Sequence, residues 1–479
     1  MFLGIDLGTG SVKVLLLGAD GTRIGASRPY PIEAFAPGWA ETGPQAWLEA
    51  IRDAIRELPA LDGLQAIGLS GQMHGIVPVA GRDSRPLGKA ILWADQRGAA
   101  CLPRLQDLPA SMAQRGLNAP VAGMAATTLL WIRAENPDLY GRMEQFLFPK
   151  DYIRAVLTGD RATDFSDASG SLLYDFERRG WHGALIDRLG LDARMLPEIR
   201  QATDLAGVVT EAAARYFGLP AGVPVATGAA DAPAGMYGTG LTDPAAVQIS
   251  IGTGAQVSRP IPANRLPPLD RALNVFEGIE PGHRYRVAAM LNAGIALEWV
   301  LKLLRLDWAG VYQALAARGL RGRPDLLFLP YLSGERTPHM DPDARGAWIG
   351  LGLHHGAEDL MLAALLGVAC AIRLGLETLG TEGVSSVRAV GGSLRHPYWR
   401  ELVSSVLGRD LLLSRRTDAS ALGATRIAAA AVGGAAAWEA AMARAEAGEA
   451  ERSERVSGTR HPWMDDYFQA FQDGYRRLK

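Results

Sequence analysis

The chain uses one local device twice. Ile5-Asp6-Leu7-Gly8-Thr9-Gly10 and Ser250-Ile251-Gly252-Thr253-Gly254 each run an apolar strand into a Gly-Thr-Gly turn, and a second apolar strand follows each. The copies lie about 245 residues apart, and self-similarity at that distance points to two domains of like topology. Length agrees, because 479 residues exceed one ordinary core and suit two domains of roughly 200 or more residues each. Around the first copy, Phe2–Asp6, Val12–Leu17 and Arg23–Pro31 read as strands, with Asp20-Gly21 as a hairpin turn. A chain that returns on itself this way makes an antiparallel meander. It does not make a βαβ unit, which argues against a dinucleotide-binding fold despite the glycines.

Each turn has a chemistry of its own. Gly8 and Gly10 let backbone N–H groups converge on an anion, and the hydroxyls of Thr9 and Ser11 add donors. Lys13 supplies positive charge nearby, and Asp6 stands where a carboxylate could hold a hydrated Mg²⁺ beside that anion. Taken singly, a plain hairpin with an incidental Asp explains the same residues. Two such hairpins facing one cleft would grip a polyphosphate from both sides.

Between the copies lies Thr227-Gly228-Ala229-Ala230-Asp231-Ala232-Pro233-Ala234-Gly235-Met236-Tyr237-Gly238-Thr239-Gly240, a glycine-rich run with one carboxylate and no other charge. A lone acid in such company is either a helix N-cap or a working acid/base. The local sequence leaves both open for Asp231. Gly238–Gly240 reads as the lead into a hinge to the second domain.

Bulk properties exclude several classes. A formal net charge of −2 gives no field for nucleic acid or an anionic membrane. Two cysteines, Cys101 and Cys370, with no CxxC pair suggest neither a disulfide framework nor a zinc site, and fit a reduced cytosol. The start, Met-Phe-Leu-Gly-Ile-Asp, lacks the basic and apolar regions of a signal peptide. The apolar runs Leu360–Ile372 and Ile427–Trp438 fall short of a membrane span and read as buried helices, the first ending at Arg373.

Other stretches carry candidates. Gln45–Leu58 is an amphipathic helix after Pro44. The strand Leu64–Leu69 runs into Ser70-Gly71-Gln72-Met73-His74-Gly75, a bend that could be a pocket wall or hold a structural His. Trp93-Ala94-Asp95-Gln96-Arg97 offers a flat apolar face beside polar groups, as carbohydrate sites and ordinary strand ends both do. Pro149-Lys150-Asp151-Tyr152 starts a helix, and Thr163–Gly170 reads as a polar loop. Asn292–Leu304 and Glu358–Leu379 are helices, Val387–Val390 is a strand ending at Gly391-Gly392-Ser393, and a helix follows over His396–Leu407. Ser420–Gly433 is an Ala-rich helix suited to close packing, and Tyr467, Phe471 and Tyr475 fall on one face of a last helix.

With these motifs on one chain, the sequence resembles the FGGY carbohydrate kinases, most closely their D-xylulose-phosphorylating branch, over essentially its whole length. Gly4–Ser11 looks like the family's first phosphate motif, and Ser250–Gly254 like its second. Pro37-Gly38-Trp39-Ala40-Glu41, Gly391-Gly392 with Tyr398-Trp399, and Ala421-Leu422-Gly423-Ala424 resemble further family patterns. Ser70–Gly75 resembles the sugar-binding segment that separates xylulose kinases from glycerol and gluconate kinases.

The resemblance implies an α/β protein of the actin/hexokinase (sugar kinase) superfamily, with two ribonuclease-H-like domains and the active site in the cleft between them. The first domain, 1–241, would carry the sugar site, the first phosphate loop and the catalytic Asp; the second, 242–479, would bind nucleotide. The implied reaction is ATP-dependent phosphorylation of D-xylulose at its 5-hydroxyl. Asp231 would be the general base and Asp6 the Mg²⁺-associated carboxylate, both lying at the metal. Gln72, Met73, His74 and Trp93 would join Asp231 at the sugar. Thr9, Gly10, Ser11, Gly252 and Thr253 would meet the phosphates, and Gly294, Glu298, Gly391, Gly392 and His396 the rest of the nucleotide. A cytoplasmic enzyme of small molecules follows, with ATP and Mg²⁺, no nucleic-acid or membrane partner, and room for a homodimer.

The chain departs from the family pattern in three places. It has Asp231-Ala232 where Asp-Asn is common, Trp93-Ala94-Asp95-Gln96-Arg97 where Trp-Asn-Asp-Gly-Arg is common, and Ser393-Leu394-Arg395-His396 where Gly-Ala-Lys-Ser is frequent. Two other readings stay open at this point. One is a kinase of another pentulose, polyol or sugar acid on the same scaffold. The other is a nucleotide-switched binding protein, which has no need of a sugar-facing base.

Overall fold

The computed structural model describes residues 1–479 other than 263, 265, 321, 414–417 and 448–453. Two seven-stranded sheets dominate it. The first contains β1 (Phe2–Leu7), β2 (Ser11–Leu17), β3 (Arg23–Pro29), β4 (Ala66–Gly71), β5 (Leu205–Val208), β6 (Pro224–Ala226) and β7 (Ala229–Ala230). The second contains β8 (Ala246–Ile251), β9 (Ala255–Pro262), β10 (Asn274–Glu277), β11 (His283–Met290), β12 (Ser386–Val390), β13 (Leu411–Leu413) and β14 (Glu454–Val456).

The expected duplication holds at the level of topology. In the first sheet β3-β2-β1 is an antiparallel meander, β4 and β6 add in parallel, and β5 returns antiparallel. In the second, β11-β9-β8, then β12 and β13, then β14 repeat that order and those directions. Each Gly-Thr-Gly turn therefore sits between the central strand and its antiparallel neighbour. The third strand ends at Pro29, earlier than expected, and Tyr30, buried just beyond it, bonds Gly10 O through its N–H. The helix after Pro44 runs Pro44–Ile55 and buries Trp47, Ile51 and Ala54 against the first sheet.

Four helices position the site. They are α1 (Pro149–Thr158), α2 (Phe165–Ser169), α3 (Asp231–Gly238) and, much later in the chain, α4 (Ala419–Ala431). α4 packs back onto β1, β4 and α3 of the first sheet. Its small residues explain how close it comes. A Cβ added at Gly68 would lie 1.9 Å from Ala424 O, and one at Gly423 would lie 1.9 Å from Ala234 O. Late chain thus forms part of the first sheet's packing.

The apolar run Leu360–Ile372 lies inside the helix Ala357–Leu379, which matches the expected Glu358–Leu379 and passes through Arg373 instead of ending there; Arg373 pairs with Glu377 at 3.0 Å and Asp465 at 2.7 Å. Ala357–Leu379 is long and apolar enough by composition to cross a membrane, yet 78% of its most apolar window is buried in the core beneath the second sheet. At about 1.5–3 kcal/mol for each large apolar side chain buried, that core role accounts for its composition. The run Ile427–Trp438 is not one helix, because the chain turns between Ala431 and Ala435.

Candidate active site

Asp6 is the penultimate residue of β1, and its register partner on β4 is Ser70. The Ser70 hydroxyl donates to Asp6 Oδ1 at 3.0 Å. Asp6 is 8% exposed. Burial raises its carboxyl above the ordinary value, while the Ser70 bond and the charge on Lys13 pull the other way. Asp231 follows β7, which lies on the far side of β4 with Ala229 opposite Ser70. Its carboxyl is raised to about 7, first by burial and then by the charge on Asp6. Two strands flanking β4 therefore bring together two acids that the sequence separates by 225 positions.

The N-cap reading of Asp231 does not hold. Ala230 stands at the N-cap of α3 and has no side chain that could cap it. The Asp231 carboxylate accepts the N–H of Ala232 at 2.8 Å and lies in the helix's first turn. A carboxylate poised near neutrality and spared from capping suits proton removal.

The bend after β4 supplies a polar wall. Gln72 is 1% exposed; its Nε2 donates to the Tyr30 hydroxyl at 3.1 Å, and its Oε1 has no hydrogen-bond partner among the described residues. The Tyr30 hydroxyl donates in turn to Gly8 O of the first turn. His74 sits in the left-handed region at φ 72, a conformation uncommon for non-glycine residues. Its Nδ1–H donates to Gly170 O at 2.9 Å. Burial lowers its pKa to about 4, so the ring is neutral and Nε2 is left as an acceptor. Met73 departs from the polar pattern. It is 7% exposed and packs with Ala230, Met236, Phe276 and Tyr285 where the two sheets meet.

Trp93 is 40% exposed, and its indole N–H donates to Thr9 Oγ1 at 2.9 Å. The expected sugar face and the first turn are thus joined directly. Asp95 and Arg97 take the ordinary strand-end alternative. Asp95 accepts from Ala40 N–H at 2.7 Å and from Arg97, which also pairs with Glu41 at 2.7 Å and lies over the Trp39 ring at 3.8 Å. Their polar groups are used in holding the 37–41 loop.

A second cluster forms at the end of β8. Gly294 N–H donates to Gly252 O at 3.0 Å, and Ile295 N–H donates to Thr253 O at 3.0 Å. The helix α5 of this account, Gly294–Leu304, begins there, two residues later than expected. Ser393 Oγ donates to Ile251 O at 2.8 Å. Gly391, at φ 122, passes so close that a Cβ would lie 2.2 Å from Ile251 O. Gly252, Thr253 and Gly392 stay exposed beside this contact. Glu298 and His396 lie further along, joined through α6 (Trp308–Arg318). The Trp308 indole donates to Glu298 Oε1 at 2.8 Å, and His396 stacks on Tyr312 with ring centroids 3.9 Å apart.

Comparison with known proteins decides the family. Residues 1–238 match the N-terminal domain, and residues 247–432 the C-terminal domain, of the FGGY family of carbohydrate kinases. The chain belongs to that family. Over 442 residues it is 34% identical to xylulose kinase of Escherichia coli (strain K12), covering 89% of each chain. The crystal structure of xylulose kinase from Rhodospirillum rubrum superposes with a TM-score of 0.86 at 27% identity, covering 100% of this chain and 98% of the other. A gluconate kinase from Lactobacillus acidophilus superposes almost as well, with a TM-score of 0.85 at 22% identity over 99% and 96% of the two chains. The fold alone therefore does not choose the sugar.

This FGGY carbohydrate kinase is an enzyme that phosphorylates a sugar, and small-molecule substrates follow from the family. Its structure also contains participants that the sequence reading passed over. Tyr30 was assigned to a strand, yet its hydroxyl lies between Gln72 and Gly8 O and feels the charges of both Asp6 and Asp231. Trp308 and Tyr312 drew no notice because helical spacing makes them look like core. Thr163–Gly170, read as a loop, contains α2, capped by Asp164. Under it, Lys150 is fully buried and pairs with Asp151 at 2.6 Å, Asp164 at 2.9 Å and Asp167 at 3.0 Å. Asp164 and Asp167 among short polar side chains were the available signal, but without periodicity they read as a loop.

Proposed function

We propose that this enzyme transfers the γ-phosphoryl group of ATP to the 5-hydroxyl of D-xylulose, with Asp231 as general base. The observation that carries the reading is the Asp231 carboxyl, raised to about 7 beside Asp6 and next to the Gln72–His74 wall. The similarity to xylulose kinases supports the choice of sugar. On this reading the enzyme is cytoplasmic, and the division between sugar-binding and nucleotide-binding halves falls at 241/242.

The residues present fit a hard divalent cation. Asp6 and Asp231 concentrate two carboxylates and an excess of negative charge at one point, an all-oxygen donor set of the kind Mg²⁺ takes. Together they would hold it, and it would supply neutralising charge to the transferred group.

Phosphoryl transfer demands mainly positioning and charge neutralisation. The Asp231 carboxylate removes the proton of the attacking hydroxyl, a contribution of about 10²–10⁴-fold for a positioned base. His74, neutral and with Nδ1–H fixed on Gly170, accepts a sugar hydroxyl at Nε2. Thr9, Gly10 and Ser11 on one turn and Gly252 and Thr253 on the other present donors to the phosphates. Gly294, Gly391, Gly392, Glu298 and His396 border the remainder of the nucleotide, with the Tyr312–His396 stack as an aromatic ledge.

A panel of sugars in a coupled ADP-release assay tests the proposal. D-xylulose should give the highest kcat/KM. A higher value for a polyol or a sugar acid would favour the other kinase reading, which the Ala232 departure keeps in play.

A further inference from the structure

Asp231 does little to fix its own position. Among the described residues its carboxylate bonds only local backbone, the N–H of Ala232 at 2.8 Å, and α3 has no side-chain cap. The strand in front of it is two residues long. What holds that strand comes from elsewhere. Ala230 N–H donates to Ser166 Oγ at 2.9 Å, and Thr227 O accepts from Arg154 Nη1 at 2.6 Å. Ser166 Oγ donates to Asp164 Oδ2 at 2.5 Å, and Asp164 pairs with Lys150 at 2.9 Å. Lys150 and Arg154 also share Asp151, each at 2.6 Å.

Every one of these side chains is essentially excluded from water. Lys150 and Arg154 face Asp151, Asp164 and Asp167, and Asp160 also pairs with Arg154 at 3.1 Å, so acids outnumber bases in the cluster. Burial pushes the Asp167 carboxyl well above the usual carboxylate range, and among the described residues its Oδ1 has no hydrogen-bond partner. Burying this many charges is a poor route to stability, since apolar side chains of similar volume often do as well. What such a cluster does better is fix one arrangement of backbone, because its directional bonds are satisfied in only one register.

We propose that the Lys150-centred cluster, acting through Ser166 on Ala230, is the positioning element that sets Asp231 for proton removal. The inference rests on Asp231 being the base. It reaches the sugar wall too, because Gly170, directly after α2, accepts from His74. Ser166, Asp164 and Lys150 are positioning residues that touch neither substrate.

Ser166→Ala removes the acceptor for Ala230 N–H without stranding a charge. Ser171→Ala serves as its control, being equally buried but bonded only to Ala168 O and Leu173 N–H in the turn beyond α2. Steady-state kinetics and thermal melting would be read on both, with Asp231→Ala alongside. The expected result is a kcat about 10- to 100-fold lower in Ser166→Ala, the loss associated with a slightly misplaced catalytic group. KM values should stay within about twofold and kcat should be near normal in Ser171→Ala. Ser166→Thr, which keeps the hydroxyl, should recover most of the lost kcat. An unchanged kcat in Ser166→Ala overturns the inference alone, provided Asp231→Ala is inactive. Equal losses of kcat and melting temperature in Ser166→Ala and Ser171→Ala overturn it as well, since the effect is then general packing. An active Asp231→Ala removes the base assignment and the inference with it.

Discussion

The Asp231 carboxyl titrates under the influence of Asp6: after burial, the charge on Asp6 is the next cause of Asp231 standing at about 7. The strand order explains the pairing. β1 and β7 flank β4 in parallel, and both acids lie at the carboxyl ends of their strands, where parallel α/β sheets gather ligand groups. Like-charged groups held this way are costly to ionise without a cation or an attacking hydroxyl between them.

That relationship predicts a pH-dependent stability. Asp231 binds its proton up to about pH 7 in the folded protein. In the unfolded chain it loses that proton near pH 4. Stability from the protonated group is thus full below pH 4, falls as pH rises through 4–7, and is gone above 7. Asp231→Asn should therefore match the parent near pH 4 and exceed it at pH 8. The full linkage of such a shift is about 4 kcal/mol, which access of solvent to the cleft reduces to about 1–2 kcal/mol. Denaturant titrations of both proteins at the two pH values, without divalent cations, check this. An Asn variant no more stable at pH 8 than at pH 4, relative to parent, would contradict the coupling.

Gly391 gives a prediction in the second half. Its φ of 122 and the 2.2 Å approach to Ile251 O leave no space for a Cβ. Gly391→Ala should push the 391–393 turn away from β8, raise the KM for ATP several-fold, and leave the KM for sugar nearly unchanged. Strained backbone of this kind is worth roughly 1–3 kcal/mol. Isothermal titration with a nonhydrolysable nucleotide measures the effect directly.

The duplicated Gly-Thr-Gly turns were legible in the sequence because each is local: strand, turn and strand lie within a dozen residues, and the two sheets repeat each other in order and direction. The glycine-rich run around Asp231 was legible for the same reason. What escaped was long-range. Nothing near Lys150 announces Asp164, Asp167 and Ser166 as its partners, and nothing near Tyr30 announces Gln72. The return of α4 to the first sheet shows in its small residues only as capacity for close packing, not as a choice of partner. Asp95 and Arg97 stayed open between sugar site and strand end for a related reason: a polar residue after a strand reads the same whether it faces a ligand or a neighbouring loop.

The central claim is that Asp231 removes the proton of the sugar hydroxyl, and single-turnover kinetics on Asp231→Ala test it most directly. The account predicts phosphoryl transfer slowed by about 10²–10⁴-fold or more, with ATP still bound at near-parental affinity. Turnover of sugar close to the parental rate would contradict it.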